Sequence, residues 1–96
     1  MNIQDEEELL SCPGDTLKEW LEEKKMAESE LSRRMRGSYI FLNGILDGSQ
    51  PITENIAWDL EEVTHIPAQF WINRERRYRI KKAWIERAKK RQDGSK

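Results

Sequence analysis

Cysteine and long hydrophobic runs are scarce in this sequence, and each scarcity excludes a class of protein. The 96 residues include one cysteine, Cys12, which cannot form an internal disulfide. One cysteine and one histidine, His65, far apart in the chain, do not make a zinc-site pattern. The apolar runs are much shorter than the roughly 20 residues that span a bilayer. We therefore expect no metal, no cofactor and no membrane-spanning segment.

The residue combinations that carry out catalysis are missing as well. The sequence has no Ser/His/Asp or Cys/His constellation, no glycine-rich loop for a phosphate and no metal-ligand spacing. The acidic residues Asp59, Glu61 and Glu62 are interpreted as a solvated helix face. We therefore do not expect an enzyme. The first residues are acidic, whereas a secretory signal peptide begins with basic ones, so we expect a cytoplasmic protein.

Charge is abundant but unevenly distributed. The net charge is −1, and 36% of the residues are charged. Residues 1–65 carry 15 acidic and 6 basic side chains, whereas residues 66–96 carry 3 acidic and 11 basic ones. Such asymmetry between halves indicates a surface for nucleic acid or for an acidic partner. The basic half, however, is not the half with the helix-turn-helix pattern described next.

Residues 26–48 contain the pattern around which the chain is organised. Apolar side chains recur at helical spacing on both sides of a break at Arg36-Gly37-Ser38. Ser38 is a preferred N-cap for the second of these helices, and Gly48 can take the left-handed conformation that ends it. The pattern predicts a helix-turn-helix, with a second helix from Ser38 to Gly48.

Capping residues predict the other helices. The first helix starts near Pro13, a good first helical residue, and Thr53 is an N-cap for the fourth. His65 ends the fourth helix, because histidine tolerates the left-handed region better than most side chains. The longest helix begins at Pro67 and runs to about Lys90. The sequence therefore predicts an all-α protein.

Three segments are expected along the chain. Residues 1–12 are predicted to be a flexible acidic arm, because they have too few apolar side chains to bury. Residues 13–91 are predicted to form a helix-turn-helix domain with a long basic C-terminal helix. Residues 92–96 are expected to be a disordered tail. The arm is open to two interpretations, docking onto a basic partner or keeping the protein soluble.

With these residues placed, the chain from Pro13 to Tyr78 resembles the XRE family of helix-turn-helix proteins, and within it the HigA-type antitoxins. The XRE family includes Cro and the phage repressors. The resemblance is carried by PGD at 13–15, ESELSRRM at 28–35, LNGILDG at 42–48, PIT at 51–53 and IPAQFWIN at 66–73. It implies a five-helix, lambda-repressor-like fold and a homodimer that binds an operator in its own promoter. It also implies neutralisation of a RelE-like, HigB-type toxin that cleaves mRNA.

The second helix of the motif is the candidate recognition helix. Its outward residues would meet the DNA major groove, where Asn43 suits adenine and Ile40 suits a thymine methyl group. Tyr39 is expected to add to the sequence preference. Ser38 is expected to position the helix on a phosphate. No lysine or arginine lies between Ser38 and Gly48.

Charged residues flank this reading face. Arg33, Arg34 and Arg36 are candidate phosphate contacts, with a solvated helix end as the alternative. Glu28 stands where the family's glutamine donates a hydrogen bond to the DNA backbone, and a carboxylate can only accept one. At a helix N-terminus its charge is also favoured by the helix dipole, by about 0.3 to 1 kcal/mol. Two interpretations of Glu28 follow. It lies against the DNA backbone, or it contributes to stability alone.

The last helix carries more apolar surface than a small core needs. On a helical wheel its apolar residues cover about half of the circumference. A second copy of the chain is the simplest cover, with Trp71, Tyr78, Trp84 and Ile85 as predicted dimer-interface residues. The alternative is that this helix folds back onto its own domain.

Three functions remain in view. The first is a DNA-binding antitoxin and autorepressor, which binds a double-stranded operator as a homodimer and neutralises a small basic toxin. The second is a protein-interaction module on the same fold with little DNA binding, and the third is a phage-type repressor without a toxin partner. The salt dependence of binding distinguishes the first two functions, because phosphate contacts weaken steeply with ionic strength and an apolar interface does not.

Overall fold

The computed structural model describes residues 10–93, apart from the side chains of residues 37, 38, 92 and 93. This part of the chain contains five α-helices, one 3-10 helix and no strand. The helices are α1 Pro13–Lys24, α2 Glu28–Arg34, the 3-10 helix Arg36–Phe41, α3 Leu42–Asp47, α4 Glu54–Thr64 and α5 Ala68–Asp93. The predicted all-α class is confirmed.

Capping residues set the ends of α1 and α4 as predicted. Pro13 occupies the first position of α1, where its missing N–H costs nothing. The Thr53 hydroxyl accepts a hydrogen bond from the Ile56 backbone N–H at 3.3 Å and so caps α4. His65 ends α4 in the left-handed region, with φ at 63°. Local sequence was sufficient to place these boundaries.

All five α-helices contribute to one hydrophobic core. Its members are Leu17, Leu21, Leu31, Met35, Leu42, Ile45, Leu46, Ile52, Ile56, Ala57, Leu60, Val63, Ala68 and Trp71. Burying one such leucine or isoleucine side chain contributes roughly 1.5 to 3 kcal/mol. The segment from α2 to α3 is therefore held in place by α1, α4 and α5 rather than by its own contacts alone.

The helix α1 lies against α3 at a glycine. A Cβ atom added at Gly14 would lie 2.1 Å from the backbone oxygen of Ile45 and 2.6 Å from that of Leu46. Only glycine allows the two backbones to approach so closely. Next to it, the buried Cys12 thiol lies 3.9 Å from the Leu46 carbonyl oxygen. The position of α3 is thus determined by its contact with the start of α1.

The second helix of the predicted helix-turn-helix is divided in two. Instead of one α-helix from Ser38, the chain forms the 3-10 helix and then the short α3. The predicted N-cap at Ser38 is wrong, because Ser38 lies inside the 3-10 helix. Residues 37–40, a glycine, a serine, an aromatic and a β-branched residue, have weak α-helix propensity, which favours short 3-10 turns. Gly48 ends α3 with φ at 86°, as predicted.

The last two residues of the predicted acidic arm, Ser11 and Cys12, are held by the last helix. The Arg74 guanidinium donates hydrogen bonds to the Ser11 carbonyl at 2.8 Å and to the Cys12 carbonyl at 3.1 Å. Cys12 is also buried. Residues 11 and 12 therefore belong to the folded domain. Residues 1–9 of the arm and 94–96 of the tail lie outside the described residues, and α5 extends to Asp93, beyond the predicted Lys90.

Candidate nucleic-acid interface

The candidate interface is the surface of α2 and the 3-10 helix, which meet at a tight turn. Met35 forms this turn, and its backbone N–H donates to the carbonyls of Leu31 at 3.0 Å and Ser32 at 3.3 Å. The Met35 side chain is fully buried. Because the turn residue is fixed in the core, the elements on either side keep a defined orientation.

The predicted reading residues are exposed wherever their side chains are described. Tyr39 is 53% exposed and Ile40 is 64% exposed, and Asn43 lies exposed in the first turn of α3. Phe41 extends this run as a third exposed hydrophobic. The Ser38 side chain lies outside the described atoms. The 3-10 helix therefore presents aromatic and aliphatic groups, and the start of α3 adds one amide.

The three predicted phosphate contacts are exposed, but each pairs with a glutamate. Arg34 Nη2 lies 2.9 Å and Arg33 Nη2 lies 3.9 Å from the Glu30 carboxylate. Arg36 Nη2 lies 2.8 Å from Glu62 Oε1. Ion pairs this exposed contribute little to stability, so a guanidinium can exchange its carboxylate for a phosphate at small cost. The sequence reasoning missed both glutamates as partners, although Glu30 and Arg34 have the i,i+4 spacing that indicates a helical pair.

Glu28 lies at the first position of α2, as the sequence predicted. The Ala27 side chain makes no capping hydrogen bond, and Glu28 and Glu30 both lie in the first turn. Two carboxylates at this end are favoured by the helix dipole. The same two charges would repel a phosphate placed nearby. The negative charge at the N-terminus of α2 therefore offsets the attraction that Arg33, Arg34 and Arg36 would have for a phosphate.

The helix α5 holds the loop that follows α3. The buried Glu75 carboxylate accepts a hydrogen bond from the Ile52 backbone N–H at 3.1 Å and forms an ion pair with Arg79. Arg79 Nη2 in turn donates to the Gly48 carbonyl at 2.9 Å. Its guanidinium lies 4.8 Å from the centre of the Tyr78 ring. Residues 48–52 are thereby tied to the last helix, a link that no local pattern predicted.

The end of α3 carries a carboxylate with a perturbed acidity. Asp47 Oδ1 accepts a hydrogen bond from the Ser49 backbone N–H at 2.8 Å. The Ser49 side chain and then this backbone bond lower the pKa of Asp47 below its ordinary value of 3.8. Hydrogen bonds to the ionised form stabilise it, which is the cause of the shift. The bond shapes the turn after Gly48.

The predicted dimer-interface residues separate into buried and accessible ones. Trp71 is 0% exposed and lies in the core, and Ile85 is 2% exposed. Neither side chain is exposed in a single copy of the chain, and the dimer interface itself stays a prediction. Tyr78 is half-buried beside Arg79, and Trp84 is 56% exposed. The alternative prediction, that the helix folds back onto its own domain, holds for Trp71.

Comparison with protein families, with curated proteins and with solved structures finds no match for this chain. Among residues 10–93, no group of three or more His, Cys, Asp or Glu side chains could hold a metal ion. Within the same range, no helix is long and apolar enough to cross a membrane.

Proposed function

We propose that the protein is an XRE-type helix-turn-helix DNA-binding protein that acts as the antitoxin and autorepressor of a toxin–antitoxin module. The observation that carries the DNA-binding part is the exposed run Tyr39, Ile40 and Asn43 next to three exposed arginines. The sequence resemblance to HigA-type antitoxins supports the module. The protein acts as a homodimer in the cytoplasm.

In this proposal the 3-10 helix and the start of α3 enter the major groove. The Asn43 amide makes paired hydrogen bonds to an adenine, and Ile40 packs on a thymine methyl group. Arg33, Arg34 and Arg36 leave their glutamates and bind phosphates on either side. Two copies read half-sites about one turn of DNA apart. Specificity then comes from few contacts, since the reading face has no lysine or arginine.

Fluorescence anisotropy tests the DNA-binding part. The labelled duplex comes from the region upstream of the protein's own gene, and a scrambled duplex of equal composition is the comparison. Asn43→Ala should reduce the preference between the two duplexes by roughly 5- to 150-fold, the range for one bidentate base contact. Arg33→Ala should weaken binding to both duplexes alike. It should also reduce by about one the slope of the logarithm of affinity against the logarithm of salt concentration.

A matched charge variant controls this experiment. Arg76 is exposed on α5, so Arg76→Ala removes one positive charge away from the interface. Binding by Arg76→Ala should stay closer to the wild type than binding by Arg33→Ala. Equal losses in the two variants, or no preference for the upstream duplex at any salt concentration, would contradict sequence-specific DNA binding through this surface.

The toxin part is tested with the small reading frame next to the gene. Expressed alone, its product should arrest growth, and co-expression of this protein should restore growth and yield a complex that co-purifies. A neighbouring product without effect on growth would remove the antitoxin assignment. The DNA-binding part would stand, and the protein would then be a repressor without a toxin partner.

One observation favours the second candidate, a protein-interaction module. All three arginines of the interface already pair with glutamates of the same chain, and Tyr39, Ile40 and Phe41 form an exposed apolar run. An apolar run surrounded by internally neutralised charge is suited to a protein surface. Binding that persists at high salt and requires no duplex would favour this candidate.

A further inference from the structure

Three of the most exposed large apolar side chains lie outside the candidate DNA interface. Trp58 on α4 is 55% exposed, and Ile80 and Trp84 on α5 are also more than half exposed. Each of the three lines a groove. Exposed apolar groups grouped in grooves mark interaction surfaces, whereas single scattered ones do not.

The first of these surfaces, here called the α4 groove, lies at the turn between the end of α4 and the start of α5. It has a volume of about 570 Å³ and is lined by Trp58, Glu61, Glu62, His65 and Pro67. The α4 positions are spaced by three or four residues, which places them on one side of the helix. The left-handed backbone at His65 then turns the chain towards α5, so the surface is concave.

The α4 groove is both aromatic and acidic. The helix α4 contains four acidic side chains and no basic one. Glu61 Oε1 accepts the Ala68 backbone N–H at 2.7 Å, which holds this carboxylate at the groove. Glu62 Oε1 accepts from Arg36 Nη2 at 2.8 Å, so the rim already binds one guanidinium. Because the face of Trp58 also attracts cations, the groove suits a ligand that is basic and partly apolar.

The second surface, here called the α5 tail, consists of residues 80–91. It contains six basic side chains and one acidic one. Ile80 and Trp84 lie one helical turn apart and line a groove of about 800 Å³, together with Ala83, Glu86, Arg87 and Lys90. The α5 tail therefore presents apolar groups flanked by positive charge, which is the chemistry that the α4 groove suits.

We infer that the α5 tail of one copy docks in the α4 groove of a second copy, and reciprocally. The two surfaces are complementary in polarity and in charge. The apolar groups of the α5 tail would pack against Trp58, and its basic groups would pair with Glu61 and Glu62. Two α5 tails placed against each other would bring like charges together, which is unfavourable. DNA is also an unsuitable occupant, because its phosphates would be repelled by the acidic α4 groove. The inference rests on the homodimer of the proposed function and names the surfaces that form it.

Sedimentation equilibrium without DNA tests the inference, so the outcome does not depend on DNA binding. The protein should be dimeric at about 0.05 M salt and dissociate towards monomer at about 0.5 M, because screening shortens the range of charge attraction. A dimer formed by an apolar interface alone would persist at the higher salt. A wild-type monomer at low salt and high protein concentration would overturn the inference.

Charge reversal then locates the surfaces. The groove variant combines Glu61→Gln, which keeps an acceptor for the Ala68 N–H, with Glu62→Lys. The tail variant combines Lys90→Glu with Arg91→Glu. Each variant alone should raise the dissociation constant of the dimer at least tenfold. Mixed together, the two should form a heterodimer, because each reversed surface then meets an opposite charge on the other protein.

Circular dichroism checks whether both variants remain folded, and Glu23→Lys on α1 is the matched charge control. That control should leave the dissociation constant of the dimer within twofold of the wild type. Retention of the dimer in either the groove or the tail variant would overturn the inference, and so would failure of the mixture to associate. DNA titration of the control variant reports separately on the proposed function.

Discussion

Arg36 at the start of the 3-10 helix and Glu62 on α4 form an ion pair, with 2.8 Å between Nη2 and Oε1. The two residues are 26 positions apart in sequence. Both side chains are more than half exposed, so the pair adds little to stability and the guanidinium can be released. The pair stands between the candidate DNA interface and the α4 groove, and it connects the two surfaces.

Releasing Arg36 should strengthen DNA binding. Glu62→Gln removes its carboxylate partner, so affinity for both upstream and scrambled duplexes should rise severalfold, with a salt slope steeper by about one phosphate contact. Fluorescence anisotropy over a salt series measures both quantities. Glu54→Gln removes the same charge at the other end of α4 and is the control. Equal gains in the two variants would show an effect of net charge rather than of Arg36.

The N-terminus of α2 offers a second test of the proposed DNA binding. Glu28→Gln restores a hydrogen-bond donor, so DNA binding should tighten about equally across sequences if α2 lies against the backbone. Stability should fall slightly, because a negative charge is lost from the positive end of the helix dipole. Anisotropy and thermal unfolding measure the two effects. Unchanged DNA affinity would place Glu28 away from the backbone and favour the protein-interaction module.

The close contact of α1 with α3 predicts that a side chain at position 14 destabilises the fold. Gly14→Ala places a Cβ within 3 Å of the Ile45 and Leu46 backbone oxygens, so one helix must shift. We expect a loss of about 1 to 3 kcal/mol in the free energy of unfolding, measured by urea denaturation. Ser29→Ala on the exposed face of α2 is the control. A loss no larger than that of Ser29→Ala would mean that the contact is not tight.

Acid should weaken the turn after α3. The native pKa of Asp47 is lowered, so its contribution to stability is fully present above about pH 3.8 and is lost as pH falls through the native value. Relative to Asp47→Ala, the wild type should be more stable near neutral pH, and this difference should shrink in acid. Ser49→Ala should raise the pKa of Asp47 towards its ordinary value, as observed by NMR titration. No change in that pKa would show that the Ser49 hydroxyl does not stabilise the carboxylate.

The buried carboxylate of α5 should matter more than any surface charge. Glu75→Ala leaves the Ile52 N–H without its acceptor and Arg79 without its ion pair, at a cost of about 2 to 4 kcal/mol. Glu75→Gln keeps an acceptor for Ile52 and should cost less. Chemical denaturation of both variants measures the two losses. If Glu75→Gln were as damaging as Glu75→Ala, the ion pair with Arg79 would be the dominant contribution.

Elements with local causes were predictable from sequence. Pro13, Thr53, Gly48 and His65 mark helix ends because the groups that satisfy or end a helix lie within a few residues of it. The spacing of the apolar residues likewise predicted helices on both sides of the break at residues 36–38. The same reasoning identified Tyr39, Ile40 and Asn43 as outward residues, and the structure places them at the surface.

Features that depend on distant residues were not predictable in this way. The sequence by itself determined the all-α class and most helix ends. Only the tertiary structure decided that Trp71 is enclosed in its own domain, that Arg74 holds Ser11, and that Glu75 caps the loop at Ile52. The physical reason is that periodicity and capping act over one or two helical turns. A hydrogen bond between residues 23 or 63 positions apart forms only once packing has brought their helices together.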